Sequence, residues 1–155
     1  MRNFSIVPVD ESNVSAFTDI VKELVGLSSY KAKFDRNFVY SMAHKGMFAT
    51  NYYLRLAQLS DETHCGLVIG SVTTLLFAQE KMGVEETIYV KEGTPFRASI
   101  AKALLAGMED WMFNTHNVSF IRAGETSDIS PVAVDAFFRS QGYKHAGTLY
   151  KKERS

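Results

Sequence analysis

The feature that most restricts this chain is a change in the spacing of its apolar residues. Val14, Phe17, Ile20, Val21, Leu24 and Val25 recur at helical intervals. From Tyr53 onward the pattern becomes that of strands. Tyr53–Leu59 and the Leu-, Val-, Ile- and Thr-rich run Cys65–Phe77 flank a polar turn, Ser60-Asp61-Glu62-Thr63, and make an antiparallel hairpin. Gly70, inside the second run, marks a bulge or the close approach of another backbone. Glu85–Lys91 reads as the next strand, with Glu86, Ile88 and Val90 on one face and Glu85, Thr87 and Tyr89 on the other. Glu85 therefore points away from Glu86 unless a bulge intervenes.

Beyond that strand, helices and strands alternate. The loop Glu92–Phe96 opens a long helix carrying Ile100, Leu104, Leu105, Met108, Trp111 and Met112, and Val118–Arg122 is a strand. Ser130 as cap and Pro131 at the first helical position start another helix, with Val134, Phe137 and Phe138 on it and Gly142 stopping it. Tyr143–Lys151 reads as a last strand. At the other end, Phe4 to Pro8 form a short strand, Asp10 to Ser12 start the first helix, and Gly26 ends it. A second helix runs from about Ser29 to His44, with Phe34, Phe38 and Met42 on one stripe and Gly46 after it. The order is β-α-α-β-β-β-α-β-α-β. The fold class is α/β, with a mixed, mainly antiparallel central sheet flanked by helices.

Composition narrows the function classes. With 155 residues and no Pro-, Gly- or Ser-rich linker, residues 1–155 read as one domain with a core of its own. Seventeen basic residues balance 17 acidic ones, so the footprint of a dedicated nucleic-acid binder is missing. Cys65 is the single cysteine, which excludes a disulfide framework or a cysteine zinc site, and it reads as a small buried apolar residue. The four histidines, His44, His64, His116 and His145, fit no metal-ligand spacing. No run approaches the roughly 20 apolar residues of a membrane span, and Ser5 to Val9 is too short for a secretion signal. A cytoplasmic protein is expected.

Three segments together carry a resemblance. They are Ile88-Tyr89-Val90 with the loop and helix start Phe96-Arg97-Ala98-Ser99-Ile100-Ala101, then Ala136–Tyr143 ending in Gly142-Tyr143, and the closing Gly147–Lys152. With the element order, they resemble the GCN5-related N-acetyltransferase family over about residues 65–153. Ile129-Ser130-Pro131 and the tail also look like a phage-encoded branch, with the host cytoplasm as its location. The resemblance implies the acyl-CoA N-acyltransferase fold, acetyl-CoA (or another acyl-CoA) as co-substrate, and direct transfer of the acyl group to an amine. Homodimers are common in the family.

The family's loop reads Gln/Arg-x-x-Gly-x-Gly/Ala and opens a helix whose amides and dipole hold a pyrophosphate. Here its frame falls on Phe96, Ser99 and Ala101, with Arg97 one place after the expected basic residue. The resemblance therefore implies that Arg97, Ala98, Ser99, Ile100 and Ala101 hold the pyrophosphate, and that Ile88, Tyr89 and Val90 pair with the pantetheine arm. It also implies that Glu86 is the general base. The acceptor site is expected between the first two helices and the loop Lys81–Gly83, with Tyr30, Phe34, Phe38 and Tyr40 nearby. Two departures stand out. Phe138 occupies the place of a tyrosine that protonates the leaving thiolate, and Pro131 that of an asparagine. Tyr143 and Tyr150 are other hydroxyls in the same region. With Ser99, these losses also fit a second reading, a degenerate acetyltransferase fold that acts as a non-catalytic binding or structural protein.

Overall fold

The computed structural model describes residues 3–29, 32–124 and 130–154. Its elements are β1 (Phe4–Pro8), α1 (Val14–Leu27), α2 (Arg36–Phe48), β2 (Tyr52–Leu59), β3 (His64–Thr74), β4 (Lys81–Val90), α3 (Arg97–Asp110) with a π-helical turn (Trp111–Thr115), β5 (Phe120–Arg122) and α4 (Pro131–Ser140). The sheet runs β1-β2-β3-β4-β5, with three antiparallel pairings followed by one parallel pairing. It is the mixed, mainly antiparallel sheet expected from the residue pattern. No helix is long and apolar enough to cross a membrane among the described residues.

Alternation along the strands sends side chains to two separate cores. On one face Leu54, Leu56, Leu67 and Tyr89 meet Val14, Phe17 and Ile20 of α1 and Ala43 of α2. On the other, Tyr53, Val68, Val72 and Val90 meet Ile100, Leu104, Leu105 and Met108 of α3 and Met112 of the π turn. The last five are fully buried. At about 1.5–3 kcal/mol for each fully buried large apolar side chain, they fix α3 to the sheet. Two strand glycines set how closely α3 lies. A Cβ on Gly70 would stand 2.8 Å from Met108 Sδ and 2.9 Å from Met112 Cε, and one on Gly83 would stand 2.5 Å from Met112 Sδ. Gly70 thus combines a close approach with a bulge, because the β3–β4 register shifts between Ile69 and Gly70.

Several expectations change. The second helix starts at Arg36, not Ser29, because Asp35 caps it by accepting from the Phe38 amide at 3.0 Å. Its stripe is not Phe34, Phe38 and Met42. Ala43 is the buried residue, and Phe38 and Met42 are 63% and 50% exposed. Gly46 does not end it but lies inside, where a Cβ would come within 2.7 Å of Leu54 Cδ1. Gly26 likewise lies inside α1, which ends at Leu27. β3 stops at Thr74, leaving Leu76 and Phe77 exposed in the hairpin turn. Lys81–Gly83 is no loop, since it pairs as strand with β3, and Met82 and Gly83 also pair with β5. Ser130 does not cap α4 with its hydroxyl and takes a left-handed conformation, although Pro131 does open the helix. The last strand, Tyr143–Lys151, is not formed. Tyr143 is tied to Glu109 and Phe138, and beyond it the chain runs as exposed coil with Leu149 and Tyr150 facing water. A strand requires a partner edge as well as alternation, and here the segment has none among the described residues. Tyr30, Ile129 and the start of the expected second helix at residues 30 and 31 lie outside the described residues.

Gly70→Ala places a methyl group against two buried methionines. Its expected cost is about 1–3 kcal/mol of unfolding free energy, read as a lower denaturant midpoint at unchanged slope.

Candidate functional site

The site begins where two strands part. Among the described residues β4 and β5 pair at three positions, Met82 with Phe120, Gly83 with Ile121 and Val84 with Arg122. β5 then ends, while β4 continues to Val90. Along Glu85–Val90 that side of β4 has no strand partner among the described residues. An open cleft of about 640 Å³ lies along it, walled by β4, the first turns of α3, and Ala133, Val134, Phe137 and Phe138 of α4, with Leu24 of α1 on the far side. This is within the roughly 300–1,000 Å³ usual for a small-molecule or cofactor site.

The β4 bulge decides which carboxylate faces where. Ile69 pairs with Thr87 and Gly70 with Glu85, so Glu86 is the extra residue. Strand partners share a face. Glu85 therefore lies on the α3 side, as Gly70 does, and is 8% exposed. Its Oε2 accepts the Gly124 amide at 3.4 Å. Glu86 is exposed, and its Oε1 accepts the Ser71 hydroxyl at 2.8 Å. Ser71 alternates with Leu67 and Ile69, which place it on the α1–α2 side. The expected grouping of Glu86 with Ile88 and Val90 is therefore corrected: it is Glu85 that shares their face. Both carboxylates line the cleft.

The α3 end is built differently from a capped helix. Phe96 precedes it in the left-handed region, at φ 60°, and carries no side-chain acceptor for the first-turn amides. The Ile100 amide donates to the Phe96 carbonyl at 2.9 Å, and the Ile100 side chain is fully buried in the core. That leaves the amides of Arg97, Ala98 and Ser99 at the positive end of the helix. Arg97, Ala98 and Ala101 line the cleft, and Arg97 Nε donates to the Val90 carbonyl at 3.1 Å, clasping the end of β4. Ser99 is exposed and lies outside the cleft wall. Of the residues read from sequence, Glu86, Ile88, Tyr89, Val90, Arg97, Ala98 and Ala101 come together, whereas Ser99 and Ile100 do not join them.

Tyr89 ties the cleft to α1. Its hydroxyl donates to Glu23 Oε1 at 2.9 Å, and Glu23 pairs with Lys91 at 3.7 Å. Burial, followed by the bond to and charge of Glu23, pushes the Tyr89 phenol up to about 12. Phe138 lines the cleft in edge contact with Phe137 and Tyr143. Tyr143 turns away to Glu109 Oε2 at 3.4 Å, and burial with the Glu109 charge raises its phenol far above the ordinary value. Tyr150 is 89% exposed. Neither hydroxyl enters the cleft wall. Phe38 and Tyr40 are exposed on α2, outside that wall as well. Sequence reasoning missed Ser71, Gly124, Leu24 and Ile69. The tandem Glu85-Glu86 beside the Gly70 signal was the available clue to the carboxylate arrangement.

No protein-family model and no curated protein sequence matches the chain. Solved structures do. An aminoglycoside 6′-N-acetyltransferase in complex with a CoA bisubstrate analogue is similar at TM-score 0.75 and 14% identity, covering 99% of this chain and 100% of that one. Glucosamine-6-phosphate N-acetyltransferase from Arabidopsis thaliana is similar at TM-score 0.75 and 11% identity, covering 99% and 100%. Ribosomal-protein-alanine N-acetyltransferase from Brucella melitensis is similar at TM-score 0.72 and 14% identity, covering 98% and 99%.

Replacing Glu23 with Gln removes the charge beside Tyr89, so an ultraviolet titration is expected to find the phenol ionising at lower pH than in the wild type. The sign for stability follows. An unfolded tyrosine ionises near 10, so the contribution of Tyr89 is complete below about pH 10 and is lost as pH rises through about 12. The chain has the GCN5-related, acyl-CoA N-acyltransferase fold, with its strands parted at the place the cleft occupies.

Proposed function

We propose that the protein is an N-acetyltransferase that moves an acetyl group from acetyl-CoA directly to a primary amine. The observation that carries this reading is the edge of β4 beyond Val84, which has no strand partner among the described residues and ends beside the uncapped start of α3. An open strand edge offers a row of backbone donors and acceptors to an extended ligand. The amide-bearing pantetheine arm is such a ligand, and Ile88, Tyr89 and Val90 supply the edge. At its end, the amides of Arg97, Ala98 and Ser99 and the Arg97 guanidinium meet the pyrophosphate, with Ala98 and Ala101 small enough to let it approach. Ile100 contributes by packing, holding α3 against the sheet. The missing loop glycine matters little to this geometry, because the amides do the binding and the Ser99 side chain points elsewhere.

In this arrangement the thioester lies in the parting of the strands. The acceptor amine arrives from the α1–α2 side, past Leu24 and Ile69. Glu86, exposed and held by Ser71, takes the proton that the amine sheds as it attacks. The similar structures include enzymes named for an aminoglycoside, a sugar phosphate and a ribosomal protein. The fold therefore leaves the acceptor open beyond its amine.

Calorimetry with acetyl-CoA is expected to give a dissociation constant in the micromolar range, about −8 kcal/mol. Absence of binding at millimolar concentration would sink the reading. Glu86→Gln is expected to keep that affinity while lowering turnover about 100-fold with whichever primary amine an acceptor screen identifies. Equal turnover in the two proteins would remove Glu86 from the chemistry.

A further inference from the structure

We propose, independently of the acyl-transfer reading, that two copies of this chain associate through the end of the sheet that lies away from the cleft. The apolar run of β3 continues in sequence to Phe77, but the strand stops at Thr74, and the Leu75 amide closes the turn on the Glu80 carbonyl at 2.9 Å. Leu76 and Phe77 are left at the tip, the first fully exposed and the second 88% exposed. Neither packs into the core of its own chain.

Strand register places further apolar side chains beside them. Tyr52, the first residue of β2, pairs with Ser71 near the end of β3, and Phe48 ends α2 four residues earlier. Phe120, the first residue of β5, pairs with Met82 near the start of β4. Phe113 lies in the π turn, where the Met112 carbonyl accepts the Val118 amide at 3.2 Å just before β5. All four are exposed. The tip is therefore a central ridge with an aromatic shoulder on each side, Phe48 and Tyr52 towards β2 and Phe113 and Phe120 towards β5. The cleft lies along the other half of β4, towards Val90 and the start of α3.

The exposed area suits a protein partner. A whole aromatic side chain presents roughly 150–250 Å², so the exposed parts of these six residues leave on the order of 700 Å² to water. The largest apolar patch of an ordinary monomer is about 300–600 Å², and a standard interface takes about 800 Å² from each partner. Interface centres are also rich in aromatic residues and poor in charged ones.

Charge selects a second copy as that partner. An anionic lipid surface calls for a basic face. Here Lys45 and Lys81 are balanced by Glu80 and Asp110. A ridge with shoulders, carrying both signs of charge, is complementary to itself. About a twofold axis, each ridge seats on the α2 shoulder of the other copy, against Phe48, the most exposed of the shoulder residues. Glu80, beside the ridge, then meets Lys45, one turn before Phe48 on the other copy's α2. Neither Glu80 nor Lys45 has an ion-pair partner within its own copy among the described residues.

Sedimentation equilibrium of the full chain tests the association. The wild type is expected to dimerise with a dissociation constant on the order of micromolar. Leu76→Asp combined with Phe77→Asp is expected to weaken the dimer about 100-fold or more. The circular dichroism spectrum and the acetyl-CoA affinity are expected to stay the same, because both side chains face water in the single copy. Leu149→Asp, an equally polar change at an exposed tail residue, is expected to leave the dimer intact. Lys45→Glu is expected to weaken it about 10-fold, and Glu80→Lys in the same chain to restore it. A wild type that stays monomeric at roughly 100 times that concentration overturns the proposal. So does a dimer that survives the two tip substitutions, or a charge exchange that restores nothing. A monomeric wild type that floats with phosphatidylserine vesicles overturns it in favour of a lipid surface.

Discussion

Everything distinctive in this structure depends on how briefly β4 and β5 stay together. Three paired positions join them among the described residues. Had the pairing continued, the backbone of Glu85–Val90 would be satisfied within the sheet and the cleft would be closed. Because it stops, the strand edge, two carboxylates and the start of α3 border one open space. The cost of an unpaired edge is tolerable only where water or a ligand can satisfy it.

That opening is held by rigid surroundings. On one face α3 is fastened by five fully buried side chains, and Gly70 and Gly83 let it lie close above the strands. On the other, Tyr89 reaches α1 through Glu23, so the far wall is positioned by a charged network rather than by packing alone. α4 has no buried residue, and Phe137 and Phe138 pack against the α3-side core from its rim. It contributes the apolar wall of Phe137 and Phe138 over the proposed path of the acyl donor.

Much of the frame was legible because hydrophobic period is a local property. The hairpin of β2 and β3, the long helix α3 and the Pro131 start of α4 each announce themselves over a few residues. The failures are of a different kind. The Phe38–Met42 stripe has helical spacing, yet the Asp35 cap and the contact at Ala43 turned the helix so that those side chains face water. Tyr143–Lys151 has strand character, but strand formation depends on a partner edge, which lies elsewhere in the chain. Gly46 looks like a stop, and only the packing of Leu54 against it distinguishes a helix-ending glycine from one that admits another element.

The candidate site divides along the same line. The sequence by itself determined the residue types: a tandem Glu85-Glu86 on a strand, a glycine opposite, a helix opening on small residues beside Arg97, and no hydroxyl at Phe138. These are covalent facts, independent of folding. Tertiary structure alone decided which carboxylate is buried and which is exposed. An extra residue in a strand is visible only against its partner, and the shift between Ile69 and Gly70 reverses the faces that simple alternation assigns. It also removed Ile100 from the ligand side and turned the Tyr143 hydroxyl towards Glu109, because burial and pairing are relations between distant segments.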